Sequence, residues 1–395
     1  MLLVALVASL TAACSSARQE PRSPADPASK SAPPPVTTTP GTIISPTEAG
    51  TSSELFDKGK ALLLQEKYAE AAGLFDTVER GEPEGKLAPL ALVHAGLAYE
   101  GLGDKAKALA RYDALRARFP RDELVKVALV RKSRVLVGLE RWPEVVSNAE
   151  AMLGRADLTV AEAIEAEGAK GLGLTEAGSP DKGLRAIERA RDLMERHHIG
   201  EAGRVPQEVA QVFYALGEAR RLRSETIKFD PPPPRFGEVF EERAQGLLDA
   251  QAAYTDAMRT TEPIWATMAG YRVGEMYKTL HADVMVMKAP LVGAKTAKDR
   301  ALFEGAVRLR YRVLLEKGLK MMDATLRMNE RLGEESAWTA KARAAKADLE
   351  KAIAEQNAFL AKLPVSEADL RTLLDNLGKR RDAEKTDEVG KAEKK

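Results

Sequence analysis

The sequence predicts an all-α protein, a solenoid of helix pairs continued or capped by longer helices, and three observations carry that expectation. From residue 54 onward no sustained alternation of apolar and polar residues occurs, while Ala, Leu, Glu, Lys and Arg, all good helix formers, dominate long stretches. The first part of this region matches itself at an offset of 37 residues, the mark of a repeated supersecondary unit. Prolines gather ahead of the helical part or between its periodic segments, where they end helices instead of interrupting them.

The elements follow in chain order. Residues 1–13 read as a signal peptide: Leu2 to Leu10 form an apolar run too short to span a bilayer, and Thr11, Ala12 and Ala13 set small residues before the chain's single cysteine, Cys14. The segment Leu10-Thr11-Ala12-Ala13-Cys14 resembles the lipobox of bacterial lipoproteins, which implies lipid attachment at Cys14. Thr11 stands where Leu is commoner, and no Lys or Arg precedes the apolar run. Ser15 after the cysteine resembles the pattern sorted to the outer membrane. Residues 14–53 hold 8 of the chain's 21 prolines among Ser, Thr and Ala, with no periodic apolar positions to bury, so they read as a solvated tether.

Residues 54–200 carry the repeats. Gly59, Gly96 and Ser133 occupy one phase of the 37-residue period; Leu55, Leu92 and Leu129 another; and Leu62, Tyr99 and Leu136, then Tyr68, Lys105 and Trp142, follow in step. Ala71, Ala108 and Val145, then Phe75, Tyr112 and Ala149, then Val78, Leu115 and Met152 complete each unit, with Pro83 and Pro120 closing the first two. The pattern resembles the tetratricopeptide repeat (TPR), a helix pair of roughly 34 residues, with three extra residues between units. The resemblance implies that the small residue lets helix A approach helix B and that the aromatic of helix B fills the space between them. A fourth, degenerate unit shows Ile164, Gly168 and Leu172 in its first helix and Ala186, Ala190 and Leu193 in its second, with loop residues expected over 175–180. His197-His198 closes it, and imidazoles there suit a helix C-terminus better than a metal, because adjacent helical side chains do not converge.

Residues 201–363 predict longer helices, over 206–228, 236–260, 263–288, 296–331 and 335–362, broken by the proline run at 231–234, by Pro290 and by Gly333. Ile264-Trp265-Ala266 with Gly270, Gly274 and Tyr277 echoes a repeat's first helix, so this half is either an extension of the array or a separate helical bundle. The methionines 276, 285, 287, 321, 322 and 328 read as core. In 364–395, Ser366 to Asp369 opens one short helix with a capping box, and the alternating charges from Lys379 to Lys395 read as a disordered tail.

Composition narrows the function. With 60 Lys and Arg against 59 Asp and Glu, four histidines and aromatics at 5%, there is no basic field for nucleic acid and little material for a metal cage. Gly171-Leu172-Gly173 lacks the third glycine of a dinucleotide loop, and Gly293 to Thr296 lacks the upstream glycine of a phosphate loop, so both read as plain loops. No enzyme, metal, cofactor or small-molecule substrate is expected. In the repeat family the inward face of helix A binds partners; carried onto this sequence, those positions are Phe56, Lys60 and Leu63, then Val93, Leu97 and Glu100, then Val130, Arg134 and Val137.

Lipobox, proline-rich tether and repeats together resemble outer-membrane tetratricopeptide lipoproteins of Gram-negative bacteria. The segments Ile264 to Tyr277, Lys288-Ala289-Pro290 and Arg331 to Trp338 resemble repeat lipoproteins of myxobacteria, some of them in gliding-motility complexes. These resemblances imply a lipid-anchored scaffold on the outer membrane, folded in the periplasm, whose partners are other envelope proteins. A β-barrel-assembly accessory is the alternative, and a peptidoglycan- or polysaccharide-handling enzyme stands behind it.

Overall fold

A computed structural model describes residues 51–200, 209–233, 235–260, 262–286, 296–372 and 374–375. The signal peptide, Cys14, nearly all of the tether and the charged tail expected from the sequence lie outside the described residues. Thirteen bounded helices and no strand occur among the described residues, an all-α fold. The chain divides into two compact units, with the boundary between Val125 and Lys126.

The first unit contains α1 (Ser52–Leu64), α2 (Tyr68–Gly81), α3 (Ala88–Gly101) and α4 (Lys105–Arg118). α1 starts where a capping box satisfies its free amides: the Thr51 hydroxyl accepts from the Glu54 N–H at 3.4 Å, and the Glu54 carboxylate accepts from the Thr51 N–H at 2.8 Å. α2 packs on both α1 and α3, and α4 on α3. The repeat positions do what their residue types require: a Cβ on Gly59 would stand 2.8 Å from the Phe75 ring, and one on Gly96 2.4 Å from the Tyr112 ring. α3 is buried on most sides, from Ala88 to Tyr99, because its sequence is apolar all round and another helix lies on each flank.

The 37-residue period extends to the backbone. Glu66, Gly103 and Glu140 stand in phase between the helices of successive pairs, and all three adopt the left-handed conformation, with φ of 59°, 80° and 56°. The next N–H in each turn, of Lys67, Asp104 and Arg141, donates back to Leu62, Tyr99 and Leu136 at 3.0, 2.9 and 3.0 Å, closing the same helix-ending motif three times. A side chain in that conformation costs about 1–2 kcal/mol, part of which glycine returns through its freer unfolded chain. Glu66→Gly is therefore expected to stabilise the first unit by about 0.5–1 kcal/mol, read as a higher urea midpoint at unchanged slope.

The second unit runs from Lys126, inside α5 (Leu124–Gly138), through α6 (Trp142–Leu153), α7 (Val160–Glu176), α8 (Pro180–Arg196), α9 (Ala210–Glu225), α10 (Phe236–Arg259), α11 (Pro263–Met285), α12 (Ala297–Leu332) and α13 (Ala337–Leu360). Here α7 pairs with α8, α9 with α10 and α11 with α12, while α9 packs on α7, α11 on α9 and α13 on α11. The long helices keep the pairing of the short ones, but α9 stacks mainly on the first helix of the preceding pair, α7, whereas in the first unit α3 stacks on the second helix of the preceding pair, α2. A glycine in the first helix again faces a side chain of the second, Gly171 against Ile187, Gly217 against Tyr254 and Gly274 against Met322.

Two sequence expectations are corrected. Gly171 and Gly173 lie inside α7, not in a loop, and α7 continues through Thr175 and Glu176. Tertiary contact explains both glycines, since a Cβ would meet Ile187 at 2.5 Å in the first case and Val146 at 2.8 Å in the second. Other boundaries fall close to expectation. Gly333 ends α12 with φ 66°, His197 is the C-cap of α8, and Ser366 and Asp369 form a reciprocal cap at 3.1–3.2 Å ahead of helical residues 367–372. Thr296 caps α12 and is the described end of the Gly293–Thr296 segment; residues 293–295 lie outside the described residues.

Candidate protein-interaction surface

The nine inward-face residues divide between the two units. In the first, Phe56 is buried, its ring 5.5 Å from Phe75 and 5.2 Å from His94. Val93 is buried at 4% exposure. Lys60 is exposed, lies 5.3 Å over the Phe56 ring and pairs with Asp57 at 2.8 Å. Leu63 and Leu97 are half-buried, and Glu100 accepts a hydrogen bond from the Tyr112 hydroxyl. In the second unit Val137 is buried at 3%, Val130 is half-buried, and Arg134 is exposed and bidentate to Glu165 at 2.9 and 3.2 Å.

Phe56, Val93 and Val137 are therefore core residues, closed off by the chain itself. Of the rest, Lys60 and Arg134 are exposed, and Leu63, Leu97, Glu100 and Val130 are half-buried. Leu64, which the repeat positions do not single out, is 87% exposed beside Leu63 at the end of α1. With half-buried Leu63 it forms the apolar part of this helix end.

The first unit is also pinned by charge. Arg111 of α4 donates through Nε and Nη2 to Asp76 of α2, both at 2.8 Å, and the Tyr99 hydroxyl of α3 donates to the same carboxylate at 2.7 Å. One aspartate thus ties three helices in a partly buried site, where such fork-to-fork bonds are strong.

The second unit reaches its own α5 face. Lys341 of α13 pairs with Glu140 at 2.6 Å and lies 3.8 Å over the Trp338 ring. The charge of Glu262, the N-cap of α11, acts on Arg134, and burial pushes the Glu262 carboxyl up from its ordinary value. Deeper in this unit lies a polar centre that the repeat pattern does not disclose. Glu218 of α9 is wholly buried; Tyr254 of α10 donates to its Oε1 at 2.7 Å, Arg272 of α11 lies 2.9 Å from the same oxygen, and Arg221 donates to Oε2. Burial alone would raise the Glu218 carboxyl, but Arg272 and Arg221 outweigh it and hold it at about 2.

Among the described residues no cluster of His, Cys, Asp and Glu could hold a metal ion, and no helix is long and apolar enough to cross a membrane. The arrangement offers apolar and charged contact surface on paired helices.

No family model matches the chain, and no curated protein matches it. Solved structures resemble it loosely. A tetratricopeptide repeat protein from Parabacteroides merdae is 12% identical with a TM-score of 0.39, covering 74% of this chain and 100% of its own. The C-terminal part of a TPR repeat-containing protein from Cytophaga hutchinsonii is 14% identical with a TM-score of 0.34, over 73% and 98%. MamA from Desulfovibrio magneticus RS-1 is 20% identical with a TM-score of 0.34, over 51% and 97%. The glycine-to-side-chain packing and the recurring left-handed turns establish the fold independently of these likenesses: the described chain is an all-α array of tetratricopeptide-like helix pairs.

Proposed function

We propose that the protein is a non-catalytic scaffold, anchored to the outer membrane by lipid on Cys14, whose helix pairs hold protein partners of a cell-envelope complex, gliding-motility machinery being the specific case. The observation that carries the binding role is the open leucine surface of the first unit, where Leu64 is 87% exposed beside half-buried Leu63 and exposed Lys60. A surface with an apolar centre and a charged rim suits an extended segment that brings apolar anchors and a few acidic groups. The anchor rests on Leu10 to Cys14, and the reach on the proline-rich residues 15–53. If those 39 residues are extended, they span on the order of 100 Å and carry the array clear of the lipid surface.

Photo-crosslinking from position 64 in lipidated, membrane-bound protein tests this reading. Adducts with envelope proteins are expected, and Leu63→Glu with Lys60→Glu should reduce them at least about tenfold, as for loss of an interface anchor, at unchanged helicity. Equal adduct yields from the double variant would remove the surface from consideration. Cys14→Ala should release the chain from the membrane fraction, and retention in an unprocessed form would defeat the anchor.

A further inference from the structure

The junction of α7, α9, α10 and α11 encloses more negative charge than positive. α9 brings Tyr214, Glu218, Arg221 and Glu225, α10 brings Tyr254, α11 brings Arg272, and α7 ends in Glu176. Two guanidinium groups thus face three carboxylates. The cations are committed: both approach Glu218, Arg221 Nη1 also donates to Glu225 at 2.9 Å, and Arg272 Nε reaches the Tyr214 hydroxyl at 3.3 Å.

Glu176 is left over. Its buried Oε1 finds no hydrogen-bond donor, and Arg221 Nη2 stands 3.9 Å away, too far to supply one. It is also the last residue of α7, where the unpaired carbonyls of the helix end disfavour a negative charge. The nitrogen it fails to reach, Arg221 Nη2, is the one bonded to Glu218 Oε2, so the two carboxylates flank a single nitrogen. Two carboxylates so placed cannot both stay ionised in a site this dry, and one proton on Glu176 brings the cluster to neutrality while giving Glu218 a further donor.

We propose that Glu176 holds a proton, donates it to Glu218, and so locks α7 to α9 and α11 at neutral pH, making this joint of the array open to loosening by mild alkali. Burial, then the hydrogen bond to Glu218 and the charge of Glu218, push Glu176 up to about 8, against the lowering effect of Arg272 and Arg221. In the unfolded chain the same group titrates near 4.5. Between those values the folded state binds more protons than the unfolded one, so stability falls as pH rises from about 4.5 to about 8. Glu218 acts in the opposite sense and lower down: its contribution is complete above 4.5 and is lost as pH falls toward about 2.

The test is thermal unfolding of the full chain between pH 5 and pH 9, with Glu176→Gln beside the natural protein. Glutamine is neutral throughout and its amide can still donate to Glu218. The natural protein should lose on the order of 5 °C more than the variant across this range, and the variant should be the more stable of the two at pH 9. Parallel decline of both would overturn the proposal. Infrared spectra of the natural protein need no variant: the carbonyl stretch of a protonated carboxylic acid is expected at pH 7 and should vanish by pH 9.5, and its absence at pH 7 would equally overturn the proposal.

Discussion

Glu218→Ala should destabilise the unit from Lys126 onward by about 3–5 kcal/mol, the range for breaking a buried ion pair from one side. The substitution leaves Arg221 and Arg272 facing each other with their shared carboxylate gone, and it orphans the Tyr254 hydroxyl in a fully buried site. Arg221 keeps Glu225 and Arg272 keeps the Tyr214 hydroxyl, but the Tyr254 hydroxyl and the guanidinium faces that met Glu218 are buried without a replacement. A surface pair gives the contrast. Arg141 and Glu144 touch at 2.5 Å but are 46% and 47% exposed, so removing Glu144 should cost under about 1 kcal/mol. Urea unfolding of both variants reads the difference directly. Equal losses would mean that Glu218 is solvated and that the junction is not built around it.

The second large effect is expected at Tyr112→Ala, at about 3–5 kcal/mol from the first unit. The ring is 1% exposed and fills the space left by Gly96, and its hydroxyl binds Glu100. Truncation therefore opens a cavity between α3 and α4 that backbone relaxation cannot close, because α3 is also held by α2. The reciprocal change works through crowding. Gly96→Ala places a methyl 2.4 Å from the ring edge and should cost about 1–3 kcal/mol. If Tyr112→Ala costs less than about 1 kcal/mol, the aromatic is not the wedge of this pair.

The repeat could be read from the sequence because its constraint is local: Gly96 and Tyr112 stand 16 positions apart across one turn, as do Gly59 and Phe75. The inward face was harder to read. Phe56 and Val93 share a repeat position with Val130, yet the first two are buried and the third half-buried, so the repeat position does not by itself fix burial. In the sequence Gly171 and Gly173 look like a loop, because their reason lies in side chains of other helices, Ile187 and Val146. Glu218 escaped notice for a related cause. Within α9 it looks like surface charge, and only flanking Ala215, Gly217 and Ala219 hint that both sides of the helix are covered. Its partners Glu176, Tyr254 and Arg272 come from three other helices, so no spacing rule connects them.

Helix order also has a kinetic consequence. Within each unit the packing described above joins helices that are immediate neighbours or next but one in sequence, so little chain entropy is lost before a new contact forms. A chain that emerges end first, from a ribosome or a translocation pore, can add one hairpin at a time onto the surface left by the last. The bridge from Lys341 to Glu140, 201 positions apart and half open to water at both ends, must wait until the helices of its unit are in place. Being exposed, it contributes little when it comes, and assembly of the array does not depend on it.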